Sequence, residues 1–316
     1  MSEVTVVIPN YKGKKYLCAC VESLFKSTKM ELSVIIVDNA SEDGSIEEVK
    51  RLYPQVRCIM LDKNYGFCRA VNIGIQEADT PFVFLLNNDT LVCKGAVDAL
   101  LMAIRQDDRI FSVESKMIQY QDHGRLDSAG TYYNALGWAF ARGKDKPAVR
   151  YQKKTDSFAA CGGASIYRKK AFDDIGYFDE EHFAYLEDVD IGYRARILGW
   201  RNVYEPKARI IHVGSAASGS RYNEFKVRLS ARNNLYMIYK NMPTMQIFFN
   251  LPFLAAGFLV KYLFFLKKGM GDLYMKGLRD AIPMMKKKKK IAYQKGYVWN
   301  YLKIQIELWI NIFRLI

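Results

Sequence analysis

The sequence of 316 residues predicts an α/β fold in which helices flank a mostly parallel sheet. Over roughly the first 105 residues, short apolar, β-branched runs alternate with stretches of helical length and period. This alternation is typical of right-handed strand–helix–strand units, whose consecutive strands run parallel. The strand runs are apolar almost throughout, as expected for strands that are covered on both faces.

The boundaries of the predicted elements follow from these periods. The strand-like runs are Val4–Ile8, Leu32–Val37, a weaker run at Arg57–Leu61, and Phe82–Leu86. The helical stretches are Tyr16–Ser27, Ser45–Tyr53, Phe67–Glu77 and Ala96–Gln106. From Phe111 to about Ser220 the alternation is less regular, with a helix predicted at Asp188–Leu198 and short strands at Asn202–Tyr204 and Arg209–His212.

The loops that follow the predicted strands are rich in Asp and Asn: "IPNYKG", "VDNASEDGS", "LDKNYGF" and "LLNNDT". Ligands of such sheets bind beyond the carboxyl ends of the strands. The first turn, "PNYKGKKY", has one glycine, so it lacks the G-x-G-x-x-G fingerprint of dinucleotide sites, and no P-loop is present. A divalent cation held by carboxylate oxygens, Mg²⁺ or Mn²⁺, is the expected substitute for handling a diphosphate.

The strand "FVFLL" ends at such a candidate metal ligand. Asp89 would reach the rim of the sheet, and Asn87, two residues earlier, would offer an amide oxygen from the same face. The alternative is an Asx-turn, for which "NNDT" is suitable. Asp38 closes the second strand and would either cap a helix or accept a hydrogen bond from N3–H of a pyrimidine base.

A third acidic cluster begins "EDVDIGYRARILGW", where Glu187, Asp188 and Asp190 open a predicted helix. Acids at this position stabilise a helix through its dipole, which is the simpler interpretation. One of these carboxylates would also suit a general base. His212 follows the run "RII" and is either structural or a metal ligand.

Together these segments resemble the inverting family 2 glycosyltransferases, which use nucleotide sugars and have the Rossmann-like GT-A fold. The likeness covers roughly residues 3–215 and is strongest to the rhamnosyltransferase-like and galactofuranosyltransferase-like branch. It depends on "VTVVIPNYKG", "VIIVDNASEDGS", "NYGFCRAVNIG", "LLNNDT", "CGGASIYRK" and "YLEDVDIGYRARILGW", in this order.

The resemblance implies roles for individual residues. It places at the nucleotide-sugar site Pro9, Asn10, Tyr11, Asp38, Asn64, Gly66, Asn72, Asn87, Asn88, Gly162 and Gly163. Asp89 would be the principal metal ligand, with His212 completing the metal shell. The family's D-x-D motif is Asn87-Asn88-Asp89 here, so a single protein carboxylate would hold the ion.

The resemblance also implies a mechanism. Asp188 would be the general base in a single in-line displacement, and Glu187 would orient the acceptor or adjust the pKa of Asp188. The donor would be dTDP-rhamnose or a UDP-linked hexose. The rival classes are a nucleotidyltransferase, which would ordinarily carry a Gly-rich basic loop after its first strand, and a basic nucleic-acid-binding or membrane-binding scaffold without catalysis.

The whole of the net charge of +14 comes from the last third of the chain. Residues 1–220 hold 29 basic and 29 acidic residues, whereas residues 221–316 hold 18 and 4. We therefore predict a catalytic domain over 1–220 and a basic, aromatic-rich, helical membrane-associating region over 221–316.

Two apolar segments carry the membrane prediction. Residues 247–266 are long enough to cross a bilayer, but one crossing would place Lys286–Lys290 outside, against the positive-inside tendency. Val298–Ile316 has a wide apolar face with Trp299 and Trp309, as interfacial helices do. The alternatives are a buried helical subdomain or a dimer contact, the latter making the protein a homo-oligomer.

The predicted partners follow from this arrangement. Because no signal peptide precedes Val4, we expect the protein at the cytoplasmic face of the membrane, peripheral or monotopic through its C-terminal region. Its lysines would meet anionic headgroups. The acceptor would be a lipid-linked or membrane-anchored glycan. No nucleic acid is expected as a partner, because the tail is too apolar for a solvated phosphate-binding arm.

Overall fold

A computed structural model describes residues 2–214, 222–287 and 290–315 of the chain. The strands are β1 Val4–Asn10, β2 Ser33–Asp38, β3 Arg57–Met60, β4 Phe82–Leu86, β5 Thr90–Val92, β6 Ile110–Gln119, β7 Leu126–Ser128, β8 Thr131–Tyr133, β9 Ala139–Ala141, β10 Thr155–Ser157, β11 Ala164–Arg168 and β12 Arg201–His212. The α-helices are α1 Leu17–Ser27, α2 Ser45–Leu52, α3 Gly66–Gln76, α4 Ala96–Ile104, α5 Ala171–Ile175, α6 Glu187–Ile197, α7 Glu224–Asn241, α8 Thr244–Lys267, α9 Gly271–Lys287 and α10 Val298–Phe313.

The central sheet has the strand order β10-β12-β6-β11-β4-β1-β2-β3, with β5 paired to β12 and β7 to β6. Strands β4, β1, β2 and β3 are parallel, as predicted, and β12 is parallel to β6. Strand β11 runs antiparallel between β4 and β6. The chain progresses outward from β1 through β2 to β3 and then returns to the other side of β1 with β4. The point between β1 and β4 is therefore a topological switch point, where α/β sheets bind ligands.

Alternate residues of the central strands pack into two different hydrophobic clusters. Val6 and Ile8 of β1 contribute to a cluster with α1 and α4, whereas Val7 contributes to one with α3 and α6. Helix α1 is typical of the covering helices, since its residues Leu17, Cys20, Val21 and Leu24 are buried at one-turn spacing. Both faces of the sheet are covered, which confirms the interpretation of the apolar strand runs.

The irregular second half differs from the prediction in one respect. The two short strands predicted near the end of the catalytic part are a single strand, β12, whose pairing with β6 shifts register between Glu205 and Arg209. The intervening "EPKA" contains a proline and a bulge, which interrupt the apolar pattern without ending the strand. The predicted helix at Asp188–Leu198 is α6, Glu187–Ile197.

The C-terminal helix α8 packs against the rest of the protein through one buried stripe, which contains both polar and apolar residues. Helix α8 buries Gln246, Asn250, Leu254 and Gly257, while most of its other apolar side chains are exposed. Asn250 and Gln305 of α10 exchange two amide hydrogen bonds of 2.8 and 2.9 Å. Such buried amide pairs fix the position of one helix on another, because leaving either partner unsatisfied is costly.

Helix α8 is also the one candidate membrane span in the described part of the chain, by length and composition. The predicted domain boundary at residues 220–221 lies outside the described residues, as do Lys288 and Lys289 of the predicted lysine run and Ile316 of the last helix.

Candidate active site

The carboxyl ends of β1 and β4 open into a cleft of about 1130 Å³. Its described lining includes most of the predicted site residues: Pro9, Asn10, Tyr11, Asn64, Gly66, Asn87, Asn88, Asp89, Gly162, Gly163, Glu187, Asp188 and His212. Asp38 and Asn72 are absent from this lining. Segments separated by up to two hundred residues therefore meet at the switch point of the sheet.

Asn10 connects the ends of three elements at the floor of the cleft. Its amide nitrogen donates to Asp38 Oδ1 at 2.6 Å and to Ser45 Oγ at 3.0 Å, and its oxygen accepts from Asn88 Nδ2 at 2.7 Å. Asp38 also accepts from the backbone N–H of Ser41 at 2.9 Å. The Asp38 carboxylate is thus buried and fixes the loop after β2.

The loop after β4 contains Asn87, Asn88 and Asp89, and each of these side chains has different surroundings. The backbone N–H of Asn87 extends the sheet by donating to Gly163 O at 2.8 Å. A Cβ on Gly163 would lie 2.8 Å from Asn87 Nδ2, so the glycine allows the Asn87 side chain to occupy its place. The Asp89 side chain is buried and faces His212.

His212 lies between two carboxylates. Its Nδ1 is 2.7 Å from Asp127 Oδ2, and its Nε2 is 3.5 Å from Asp89 Oδ1. Burial alone would lower the pKa of His212, but the hydrogen bond with Asp127 and the nearby Asp89 raise it to about 9. Burial would raise the pKa of Asp127, but His212 and then Lys144 hold it well below its usual range. One charged network therefore joins the side chains of Asp89, His212, Asp127 and Lys144.

This network fits a divalent cation that is only partly held by protein. Among the described residues, no group of three or more His, Cys, Asp or Glu side chains is arranged as a complete metal cage. A carboxylate that anchors one imidazole nitrogen, as Asp127 does, leaves the other nitrogen directed at the metal position in many metal sites. Asp89, and His212 once its Nε2 has lost its proton to the incoming cation, would supply two ligands and leave the remaining positions to water and phosphate oxygens, as Mg²⁺ sites usually do.

The N-terminus of α3 forms the next wall of the cleft. Asn64 Oδ1 accepts from Gly66 N at 2.9 Å and so shapes the turn into the helix. Gly66 has φ +87°, and an added Cβ would lie 2.6 Å from the carbonyl oxygen of Phe183. Asn72, one and a half turns further, binds the backbone of Phe178 through both ends of its amide. Asn72 therefore fixes a neighbouring loop rather than facing the cleft.

The catalytic candidates Glu187 and Asp188 begin helix α6, directly after a strained loop. Phe183, Tyr185 and Leu186 all have positive φ, between 63° and 70°, which costs energy for residues with a Cβ. Burial raises the pKa of Asp188 to about 6. Burial and the charge of Asp188 raise the pKa of Glu187 to about 8. Burial and mutual repulsion therefore oppose the ionisation of both carboxyl groups at once.

The third acid of the cluster has a structural role. Asp190 is fully buried, and its carboxylate binds Arg194 Nη2 at 2.9 Å, Lys240 Nζ at 3.0 Å and Asn241 Nδ2 at 2.8 Å. Burial would raise the pKa of Asp190, but Lys240 and Arg194 hold it well below its usual range.

Several cleft residues were not predicted from the sequence. The charged ones among them are Asp127, Lys144, Lys226 and Lys261. Asp127 follows no strand-end signal, since "RLDSAG" lies in the irregular half of the chain, and only its hydrogen bond to His212 reveals it. In the sequence, Lys261 stands out only as the single charged residue of the apolar run 247–266.

Comparison with known proteins supports one family. The family model described as "Glycosyl transferase family 2" matches residues 5–176. An N-acetylglucosaminyl-diphospho-decaprenol L-rhamnosyltransferase of Mycobacterium tuberculosis is 30% identical over 237 residues, covering 68% of this chain and 77% of the relative.

Two solved structures share the fold at low sequence identity. Staphylococcus aureus TarS 1–349 in complex with UDP-GlcNAc is 18% identical with a TM-score of 0.60, covering 89% of this chain and 81% of that one. A mannosyltransferase, PcManGT of Pyrobaculum calidifontis, in complex with GDP-Man and Mn²⁺ is 16% identical with a TM-score of 0.55, covering 97% and 84%.

Proposed function

The chain belongs to glycosyl transferase family 2, and on that premise we propose that it transfers a sugar from a nucleoside-diphosphate sugar to a hydroxyl of a lipid-linked glycan. The observation that carries this proposal is the cleft itself, in which Asp89 at the end of β4 and Asp188 at the start of α6 line one space at the switch point. The donor would be dTDP- or UDP-linked, and the mycobacterial relative's name favours rhamnose.

Asp188 is the general base of the proposed reaction. Its pKa of about 6 leaves it ionised at neutral pH, yet basic enough to take a proton efficiently from an acceptor hydroxyl. The acceptor oxygen then attacks the anomeric carbon from the side opposite the leaving nucleoside diphosphate. The C–O bond to the diphosphate breaks as the new glycosidic bond forms, so the configuration at that carbon inverts.

Glu187 would act as a neutral hydrogen-bond donor beside this base. Its carboxyl is buried, its Oε2 has no hydrogen-bond partner among the described residues, and its raised pKa favours the protonated form. A protonated carboxyl can donate to an acceptor hydroxyl and orient it toward Asp188. Two neighbouring carboxyls whose environments separate their pKa values commonly divide acid and base roles in this way.

Asp89 and His212 would hold a divalent cation, Mg²⁺ or Mn²⁺, which would neutralise charge on the diphosphate. Asp127 would fix the imidazole for this role through its 2.7 Å contact with Nδ1. The N-terminus of α3, with Asn64 and Gly66, would lie near the same phosphates, where the helix dipole favours an anion. Pro9, Asn10, Tyr11 and the glycine pair Gly162–Gly163 would contact the nucleotide sugar, and Asp38 would act there through Asn10.

The exposed apolar faces of α8 and α10 would attach the enzyme to the cytoplasmic surface of a membrane. Trp299 and Phe313 of α10 are 72% and 77% exposed, and Phe248 of α8 is 67% exposed. Because the buried stripe of α8 packs along the protein, the helix would lie in the membrane interface rather than cross it. Lys286, Lys287 and Lys290 would meet anionic headgroups nearby.

Nucleotide release from a panel of dTDP-, UDP- and GDP-linked sugars tests the proposal. With a lipid diphosphate-linked glycan as acceptor, we expect release from one donor, dependent on Mg²⁺ or Mn²⁺ and abolished by EDTA and by Asp89→Ala. Asp43→Ala is the matched control and should remain active. Asp43 lies on a surface loop, where its carboxylate accepts a hydrogen bond of 2.9 Å from the backbone N–H of Lys14. No release from any donor, together with no nucleotide binding by calorimetry, would reject the proposal.

A further inference from the structure

The cleft continues beyond Asp188 to a second wall, which is formed by α7, α8 and α9. Its described polar residues are Tyr222, Asn223, Lys226, Ser230, Asn234, Lys261 and Tyr274. No Asp or Glu is among the described residues of this wall. The carboxylates of the cleft, Asp89, Asp127, Glu187 and Asp188, all come from the sheet edge and from α6. The cleft is thus acidic at one end and basic at the other.

Lys261 is held in this wall by a close contact between α8 and the loop before β9. A Cβ on Gly257 would lie 2.0 Å from Leu136 O, so only glycine allows α8 to approach this far. Trp138 Nε1 donates to Gly257 O at 3.1 Å. One turn later on the same face, Lys261 places its Nζ 5.8 Å from the centre of the Trp138 ring. The Lys261 ammonium group therefore lies on the side of α8 that faces Trp138 and the rest of the protein.

Lys261 has no acidic partner in the part of the chain that the structure describes. It is half-buried, and no acidic side chain forms an ion pair with it among the described residues. Moving a charged group partly out of water costs energy, which an anionic partner would offset. A ligand could supply that partner.

A second unsatisfied donor lies in the same wall. Tyr274 of α9 is 2% exposed, and its hydroxyl has no hydrogen-bond partner among the described residues. Its ring stacks on Phe265 with centroids 5.4 Å apart, so the side chain is fixed. Phe265 itself is one turn after Lys261 on α8. Buried tyrosine hydroxyls usually find a partner, so an unpartnered one in the same wall of the cleft as Lys261 indicates a place for an acceptor atom.

We propose that Lys261 and Tyr274 bind the phosphate group of a lipid-linked acceptor, and that its lipid chain then leaves along the exposed apolar face of α8. This inference rests on the proposed function and adds the residues that recognise the acceptor. Val260, Leu263 and Phe264, which flank Lys261, are 40–51% exposed and continue the apolar surface away from the cleft. A phosphate at Lys261 would lie where the cleft meets this surface.

The test compares two acceptors with the same sugar and the same lipid chain, one joined by a diphosphate and one by a neutral ether. Lys261→Met should lower kcat/KM for the diphosphate acceptor by about tenfold or more, because a hydrogen bond to a charged group is lost. It should leave kcat/KM for the ether acceptor unchanged. Tyr274→Phe should show the same selective loss at a smaller size, and Lys261→Arg should restore part of the activity.

Lys267→Met is the matched control, because Lys267 is exposed on the same helix and outside the cleft lining. It should leave the preference between the two acceptors unaltered. Equal losses of Lys261→Met with both acceptors would overturn the proposal. The proposal would also be overturned if Lys261→Met and Lys267→Met lost binding to anionic vesicles to the same extent. Lys261 would then bind a headgroup of the bilayer and not the acceptor.

Donor hydrolysis in the absence of acceptor separates this proposal from the proposed function. Wild type and Lys261→Met should release nucleotide into water at the same rate and should bind donor equally by calorimetry. If the wild type releases nucleotide but shows no preference for the diphosphate acceptor, the phosphate site fails while the glycosyltransferase assignment stands.

Discussion

The amide nitrogen of Asn233 donates a hydrogen bond of 2.8 Å to the carbonyl oxygen of Tyr185, two residues before Glu187. The same nitrogen lies 2.8 Å from Ala184 O and 2.9 Å from His182 O. One buried side chain of α7 thus holds the strained loop from which the two catalytic candidates emerge. The helix that follows the predicted domain boundary is therefore a part of the proposed catalytic machinery.

Asn233→Ala should lower kcat strongly while donor affinity changes little. The loop before α6 has three non-glycine residues with positive φ and should relax once the hydrogen bonds are lost, which would displace Asp188. We expect a loss of about a hundredfold in transfer rate. Asn300→Ala is the matched control, because Asn300 Nδ2 donates at 2.9 Å to Ile197 O at the opposite end of α6. If both variants lose activity equally, the effect is general destabilisation.

The pH dependence of transfer should report both carboxyl groups. The rate should rise with pH as Asp188 ionises, with a pKa of about 6, and should fall as Glu187 loses its proton, with a pKa of about 8. Glu187→Gln keeps a neutral hydrogen-bonding group, so it should remove the fall at high pH and retain the rise at low pH. Measured kcat/KM profiles between pH 5 and 9 decide this, and an unchanged high-pH limb would contradict the role of Glu187.

Asp188→Asn should make the protein more stable at pH 8. The pKa of Asp188 is higher in the folded protein than in the unfolded chain, so the ionised carboxylate destabilises the fold. This destabilisation is absent below the pKa that Asp188 has in the unfolded chain, and it is complete above its folded pKa of about 6. The asparagine variant should gain about 3 kcal/mol at pH 8 and less than about 1 kcal/mol at pH 4. Urea unfolding at the two pH values measures the difference. An equal gain at both would point to packing instead of charge.

Gly66→Ala should destabilise the protein well beyond the usual cost of a left-handed backbone. The new Cβ would lie 2.6 Å from Phe183 O, a backbone atom that cannot move aside easily. Gly95→Ala is the control, since Gly95 has φ +77° but nothing within 4 Å of an added Cβ. We expect about 1–2 kcal/mol for Gly95→Ala and at least about twice that for Gly66→Ala. If the two variants lose similar amounts of unfolding free energy in denaturant, Phe183 moves away from the new methyl group at little cost.

Membrane attachment should depend on the exposed aromatic residues of α10. Changing Trp299 and Phe313 together to Ser should lower partitioning into anionic vesicles by about tenfold or more, because both side chains would enter the interface. Met102→Ser is the control, since Met102 is 69% exposed on α4 of the catalytic part. Vesicle sedimentation at low and high salt measures the effect. Binding that disappears at high salt in the wild type would contradict apolar insertion.

Local patterns were sufficient to predict much of the fold and part of the cleft. The first four strands, the helices between them and the polar strand ends depend on short-range periodicity, so they could be predicted from the sequence. Asn87, Asn88 and Asp89 lie at the cleft for the same reason, because a parallel strand must end at the ligand-binding edge of the sheet.

Residues that reach the cleft from distant parts of the chain could not be predicted in this way. Asn233 and Lys261 lie on helices far along the sequence, and only tertiary packing brings Asn233 to the loop before α6 and Lys261 to the cleft. Asp127 comes from the irregular half and acts through His212, 85 residues later. Asn72 matched the sequence pattern of the family, but its amide is occupied by the backbone of Phe178.

The transfer reaction of Asp188→Asn tests the central claim most directly. Donor binding by calorimetry and transfer to a lipid diphosphate-linked acceptor should be measured on the same preparation of wild type and variant. We predict unchanged donor affinity and a transfer rate at least about a thousandfold lower, because the group that accepts the proton is removed. A variant that binds donor and still transfers sugar within about tenfold of the wild-type rate would show that Asp188 is not the base.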